Sequence, residues 1–166
     1  MTHEPKTLPI LIYPNPILHQ VSDVVTAFDE ELEDLCTALL LTMRTGKGLG
    51  LAAPQVGVLK RVIAVWIDEK YPMVFVNPEI ISASEEMFPF REGCLSVPGY
   101  FEARSRAKNI TLKFNDNLGA DHQSELNDVY AFCVQHEIDH LNGRVFIDDL
   151  SLLKRDRIKT KIRKRK

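Results

Sequence analysis

The residues best suited to chemistry are His136-Glu137-Ile138-Asp139-His140. Side chains four apart on a helix share one face, so both imidazoles can reach a single metal ion. Glu137, one residue along, can approach a metal-bound water instead of the metal. This H-E-x-x-H spacing is a motif of metal-assisted hydrolysis, with zinc its usual occupant. The competing reading is two histidines on an exposed face, with Glu137 and Asp139 as solvated charges. A catalytic ion of this kind takes three protein ligands and keeps one position open. Cys133 stands only three residues before His136 but seven before His140, about 10 Å along a helix axis at ~1.5 Å per residue. Metal–ligand bonds of about 2.0–2.3 Å leave a short cysteine unable to close that gap. Cys133 therefore reads as a small hydrophobe in the wall behind the site. Cys94 is the better third ligand. It lies in Glu92-Gly-Cys-Leu-Ser-Val-Pro98, where Gly93 and Pro98 exclude helix interior and let a cysteine meet the histidines from another element. Taken alone, Cys94 reads equally well as a buried structural thiol.

The elements that must position these groups are partly visible. Leu32, Leu35, Cys36, Leu39, Leu40 and Met43 form one apolar stripe at the helical period, which makes Cys36 a core residue. Asp29, Glu30, Glu31 and Glu33 crowd the positive end of that helix, and Gly46 stops it. The opening Ile10-Leu-Ile-Tyr-Pro-Asn-Pro16, with two prolines, is expected to be extended and packed on the surface. Val62–Ile67 and Met73–Val76 are short β-branched runs and predict strands, with more inside Phe101–Phe114 and a turn at Asn115–Gly119. A second helix is expected from about Asp128 to Leu141, capped by Asn127 and ended by Gly143. Strands grouped between separated helices indicate α+β rather than alternating β-α-β units.

Gly48-Leu-Gly-Leu-Ala-Ala-Pro-Gln55 is the third unusual stretch. Its small residues make a backbone that another chain can approach closely, and Gln55 offers an amide donor. It lacks the Lys-Ser/Thr of a phosphate loop, and physics alone would leave it as a tight strand-entry loop.

At 166 residues, 45% hydrophobic and 27% charged, the chain fits one globular domain. No apolar run nears the ~18–20 residues that span a bilayer. Met1–Pro9 has neither the apolar core of a signal peptide nor the arginines of a transit peptide. Three cysteines cannot all pair, which favours a reducing, cytoplasmic setting. The net charge of −2 hides a split: residues 151–166 carry nine Lys/Arg and one Asp, or +8. The first 150 residues carry 12 basic and 22 acidic residues, or −10.

Taken together, Gly48–Gln55, Glu92-Gly-Cys-Leu-Ser96 and Gln135-His-Glu-Ile-Asp-His-Leu141 closely resemble the three motifs of the peptide deformylase family, in the family's order and at its approximate separations. The resemblance covers residues 8–153 and implies a hydrolase that removes the N-formyl group from the first methionine of new polypeptides, a co-translational step of protein biosynthesis. It implies an α+β fold: one domain of antiparallel β-sheets packed around the central histidine helix, with an amphipathic helix before it and a short basic helix after it. Residues 1–150 would be the catalytic domain, and 151–166 a basic tail of the same domain, helical and capped by Ser151. It assigns Cys94, His136 and His140 to the metal, Glu137 to acid–base work, and Gln55 with the Leu95 N–H to the oxyanion. The ion would acidify its water, and Glu137 would take the proton as hydroxide attacks the formyl carbon and return it to the leaving amine. The family commonly uses Fe(II) and also works with nickel, cobalt or, usually less well, zinc. By position in the family pattern, Leu49, Phe90, Val129, Phe132 and Cys133 line the methionine pocket, beside Gly48 and Gly50. Arg106 matches a family arginine that pairs with the glutamate matching Glu92. Asp128 departs from a common glycine, which would narrow or acidify the pocket's rim.

Two other readings compete. A zinc endopeptidase with the same H-E-x-x-H would take a third ligand downstream, where only Asp148 and Asp149 stand. An inactive fold could serve as a binding module, its tail meeting ribosomal RNA. The tail, Lys154–Lys166, can make the same ribosome contact in an active enzyme, and a solvated basic terminus is the plainer alternative.

Overall fold

Asp29 opens the first helix, α1 (Glu30–Thr45), by accepting a hydrogen bond from the Leu32 amide at 3.1 Å. This spares one of the amides that a helix start leaves unpaired. The structure, a computed structural model, describes residues 4–165. Leu32, Leu35, Cys36, Leu39 and Met43 all point from α1 into one apolar cluster. They meet Leu51 of β1 (Gly50–Ala52) and Val62 and Ala64 of β2 (Val62–Val65). The alternate residues of β2, Ile63 and Val65, face the other way, toward Ala131, Val134, Ile138 and Leu141 of α2 (Asp128–Leu141). A strand buried on both faces reads as a continuous apolar run, as Val62–Val65 does.

β1 and β2 belong to a five-stranded antiparallel sheet, with β3 (Met73–Ala83), β6 (Asn109–Asn115) and β7 (Asp121–Asn127), in the order β1-β2-β3-β6-β7. A second sheet is a hairpin of β4 (Met87–Cys94) and β5 (Val97–Ala107). Its register slips between Gly93 and Cys94, so that Cys94 pairs Val97 across a tight turn. α2 lies between this hairpin and the large sheet, which gives the α+β architecture expected.

Residues 151–165 are not a loose appendage. α3 (Leu152–Arg163) is capped by the Ser151 hydroxyl, and its Ile158 and Ile162 are buried with Tyr13, Leu18, Val97 and Phe146. The opening segment is non-helical from Ile10 to Asn15, as expected, but departs from a plain surface run at Tyr13 and at its last residue. It buries Tyr13, whose amide donates to Ser96 O at 2.8 Å. Pro16–His19 is also a 3₁₀ turn, because proline pre-sets the first helical φ and the Asn15 side chain caps it.

The start of α2 holds a second correction. Asn127 sits at the cap position but makes no side-chain capping bond. Asp128 adopts φ +51°, the left-handed region that favours glycine. It is exposed and not on the site cavity's lining, so it does not alter the rim. In urea denaturation, Asp128→Gly should match the parent or gain up to about 1 kcal/mol. Asp128→Val should lose about 1–2 kcal/mol. A valine variant as stable as the parent would contradict the strained backbone.

Candidate metal centre and active site

Two elements bring three ligand atoms together. β4 ends in Cys94, and one face of α2 presents His136 and His140. One donor atom from each lies within 4.8 Å of the others. Cys94 Sγ is 3.3 Å from His140 Nε2. His136 uses its Nδ1 on Glu92 Oε2 at 2.7 Å, which frees its Nε2 for the site. Burial holds the His140 imidazole well below its usual pKa, so it is neutral and able to ligate. Burial also pulls His136 down, but hydrogen bonds with Cys94 and Glu92 outweigh it and raise the ring's pKa. A thiol and two imidazoles, two of the three being buried side chains, suit a divalent transition ion.

Glu92 anchors more than His136. Arg106 of β5 donates to it through Nε at 2.5 Å and Nη2 at 3.1 Å. Arg106 Nη1 then donates to Asp139 of α2 at 2.7 Å, and Arg144 reaches the same carboxylate at 2.9 Å. Burial alone would raise the Glu92 pKa; the hydrogen bonds from His136 and Arg106 overturn it and bring it to about 2.

Glu137 has the opposite environment. It is buried, its Oε2 has no hydrogen-bond partner among the described residues, and desolvation pushes its pKa up to about 7. His136 lowers it and Glu92 raises it further. β1 makes room for this carboxylate at Gly50, where a Cβ would overlap Glu137 Oε1. Gln55 is held by its oxygen, which accepts from the Ala52 amide at 2.9 Å. That fixes its Nε2 toward Cys94 Sγ at 3.3 Å and Ser96 Oγ at 3.1 Å.

A cavity of about 410 Å³ opens beside the cluster. Its lining brings together Gly48, Leu49, Gly50, Gln55, Phe90, Cys94, Leu95, Phe132, Cys133, His136 and Glu137. Val129 is not among them: it packs against the core cluster between α2 and the large sheet, to which Cys133 also belongs, one turn before the cavity-lining Phe132 and Cys133. Phe88 stacks on Phe132 with centroids 5.7 Å apart, a contact that sequence reasoning missed because Met87–Phe90 carries a proline and no clean alternation. Asp139 and Arg144 were likewise missed as partners of the network. The downstream acids do not approach the ligands: Asp148 pairs with His19 and the Val145 amide, and Asp149 with Arg104.

Fold and site together define a metal-dependent hydrolase of α+β type. A sequence model of the polypeptide deformylases matches residues 7–156. The peptide deformylase of Cellvibrio japonicus (strain Ueda107) is 42% identical over 160 residues, which are 95% of this chain and 95% of that one. That of Phenylobacterium zucineum (strain HLK1) is 44% identical over 159 residues, 93% of this chain and 94% of that one. Among solved structures, peptide deformylase from Ehrlichia chaffeensis in complex with actinonin matches with TM-score 0.93 at 37% identity, over 97% of this chain and 98% of that one. The one from Legionella pneumophila matches at TM-score 0.89 and 41% identity, over 95% and 94%. The chain belongs to the polypeptide deformylase family and is an enzyme of that class.

Thiol chemistry tests the ligand set. Burial pushes Cys36 up to about 11 and Cys133 to about 12, so neither ionises near neutrality. Metal-stripped native protein at pH 8 should show one fast-reacting thiol per chain, Cys94, and Ni(II) or Zn(II) should protect it. Two fast thiols, or none protected by metal, would contradict the assignment.

Proposed function

We propose that this chain removes the N-formyl group from the initiator methionine of nascent polypeptides, releasing formate. The observation that carries the reading is Glu137 beside the Cys94–His136–His140 cluster, at the end of a cavity walled by Phe90, Phe132 and Cys133. Cys94 Sγ and the Nε2 atoms of His136 and His140 would hold one divalent ion. Fe(II) is our choice, on the family resemblance, with zinc, nickel and cobalt as the other candidates. Such an ion supplies Lewis acidity and a water acidified toward neutrality.

The chain's own groups do the rest. Glu137, with a pKa near 7, takes a proton from the attacking water and returns it to the leaving amine, an exchange efficient at that pKa. Charge growing on the formyl oxygen is met by the Leu95 N–H and by Gln55 Nε2, which the Ala52 amide holds in place through the Gln55 side-chain oxygen. Phe90, Phe132 and Cys133 accept the methionine side chain and exclude water, while Leu49 covers the opening between Gly48 and Gly50. The endopeptidase alternative is disfavoured because Asp148 and Asp149 are engaged elsewhere. An inactive binding module is disfavoured by an intact Glu137.

Residues 1–150 form the catalytic unit in this reading, and 151–166 complete the same domain. The inner face of α3 is occupied by Ile158 and Ile162, which leaves Lys154, Arg157 and Lys161 exposed on a helix of fixed orientation. That face would meet ribosomal RNA. The setting we propose is the cytoplasm, where formylated chains emerge and three unpaired thiols stay reduced.

Formate release from a formyl-Met peptide should vanish in Glu137→Gln with bound metal unchanged. Gln55→Ala should lower kcat by 10²–10³, about 3–4 kcal/mol. Cleavage of internal peptide bonds with no formate would overturn the reading. Cosedimentation with ribosomes should fall with salt and in the Lys154→Glu/Arg157→Glu/Lys161→Glu variant. Unchanged pelleting would refute the RNA contact.

A further inference from the structure

The acidic body of this protein places its cations unevenly. Lys47 and Arg91, both exposed, line the mouth of the site cavity. A shallow depression adjoins that mouth and shares Lys47 and Gly48 with it; Arg44, Trp66, Ile67 and Glu69 line the remainder. Arg44 lies over the Trp66 ring at 4.9 Å, and Arg91 over Phe101 at 5.0 Å. Stacking fixes each guanidinium while leaving its N–H edges able to donate. On the cavity wall, the Arg165 guanidinium lies against Gly99, a position at φ +76° where a Cβ would overlap it.

Among the described residues, Arg44, Lys47 and Arg91 form no ion pair with a carboxylate. The other carboxylates of the cavity, Glu92 and Glu137, are buried below the mouth, so Glu69 is the exposed acid of this lining. In the first 150 residues acids outnumber bases 22 to 12, so two unpaired cations at the cavity mouth and a third, Arg44, in the adjoining depression are a local reversal of sign. Such a patch at the mouth of a cleft attracts and orients anionic ligands.

A formylated chain with its methionine in the pocket must send its following residues out over this rim. We propose that Lys47, Arg91 and Arg44 form a subsite for acidic side chains in the first few residues after methionine, so that the enzyme acts preferentially on formylated chains with acidic beginnings. The inference rests on the deformylase reading and adds selectivity to it. Exposed ion pairs are individually weak, but attraction of two acidic residues against repulsion of two basic ones compounds to about tenfold in kcat/KM at low salt.

The experiment compares formyl-Met-Ala-Asp-Asp, formyl-Met-Ala-Ser-Ser and formyl-Met-Ala-Lys-Lys by formate release. The metal-loaded full-length enzyme should favour them in that order. About 0.5 M salt should compress the order, because the Debye length is then only about 4–5 Å. Lys47→Glu and Arg91→Glu should each reduce or invert the acidic-to-basic ratio. That ratio is taken within each variant, so a general loss of activity does not mimic the effect. If Arg91→Glu is poorly folded, Lys47→Glu and the salt series decide. Equal kcat/KM for the acidic and basic peptides, or a ratio insensitive to salt and to both variants, overturns the subsite. No formate from any of the three peptides overturns the deformylase reading instead.

Discussion

Glu92 is only 3% exposed, and three donor atoms converge on its carboxylate: two from Arg106 and one from His136. Cys94 lies two residues along the same strand, and Asp139, which takes the third Arg106 bond, lies on the same helix as both histidines. One buried ion network therefore ties the β4–β5 hairpin to α2 at the point where the cysteine must meet the imidazoles. Buried pairs of this kind add little net stability, since desolvation offsets attraction, but breaking one costs about 3–5 kcal/mol. Their contribution here is registration. A slip of the hairpin by one residue would turn Cys94 away from the histidines and strand Glu92 without donors.

The two buried glutamates of the site show how environment divides their roles. Arg106 and His136 keep Glu92 ionised, with a pKa near 2. Glu137 has burial without such compensation, and its pKa rises to about 7. Two carboxylates at one site, shifted in opposite directions, are what the proposed mechanism needs of a fixed charge and a proton carrier. Gly50 belongs to the same design, because only a residue without a Cβ lets β1 run this close to Glu137.

How far this could be read in advance follows from the local physics. The H-E-x-x-H helix, the stripe of α1 and the β-branched run of β2 were legible, because their periods match their burial. β4 was not: Met-Phe-Pro-Phe-Arg-Glu-Gly-Cys contains a proline and a glycine and faces a single partner strand. β7, Asp-His-Gln-Ser-Glu-Leu-Asn, is a polar edge strand with no apolar alternation, and β1 is three residues long. β3 reads as four residues but runs for eleven, because its register shifts near Asn77 and Pro78 interrupt the pattern. The membership of Asp139 and Arg144 in the Glu92 network depends on where α2 meets the hairpin, which no local spacing encodes. The basic C-terminal segment looked separable by charge; its two isoleucines, four apart, place it against Val97 just beyond the Cys94 turn.

The central claim is that the hairpin delivers Cys94 to the two histidines to hold one catalytic ion. X-ray absorption on anaerobically purified, active protein reads that directly. One sulfur neighbour at about 2.3 Å with the remaining neighbours nitrogen or oxygen at about 2.0–2.2 Å is the predicted shell, and the sulfur should vanish in Cys94→Asp. An ion bound at full occupancy with no sulfur neighbour, in protein that still releases formate, would contradict the account.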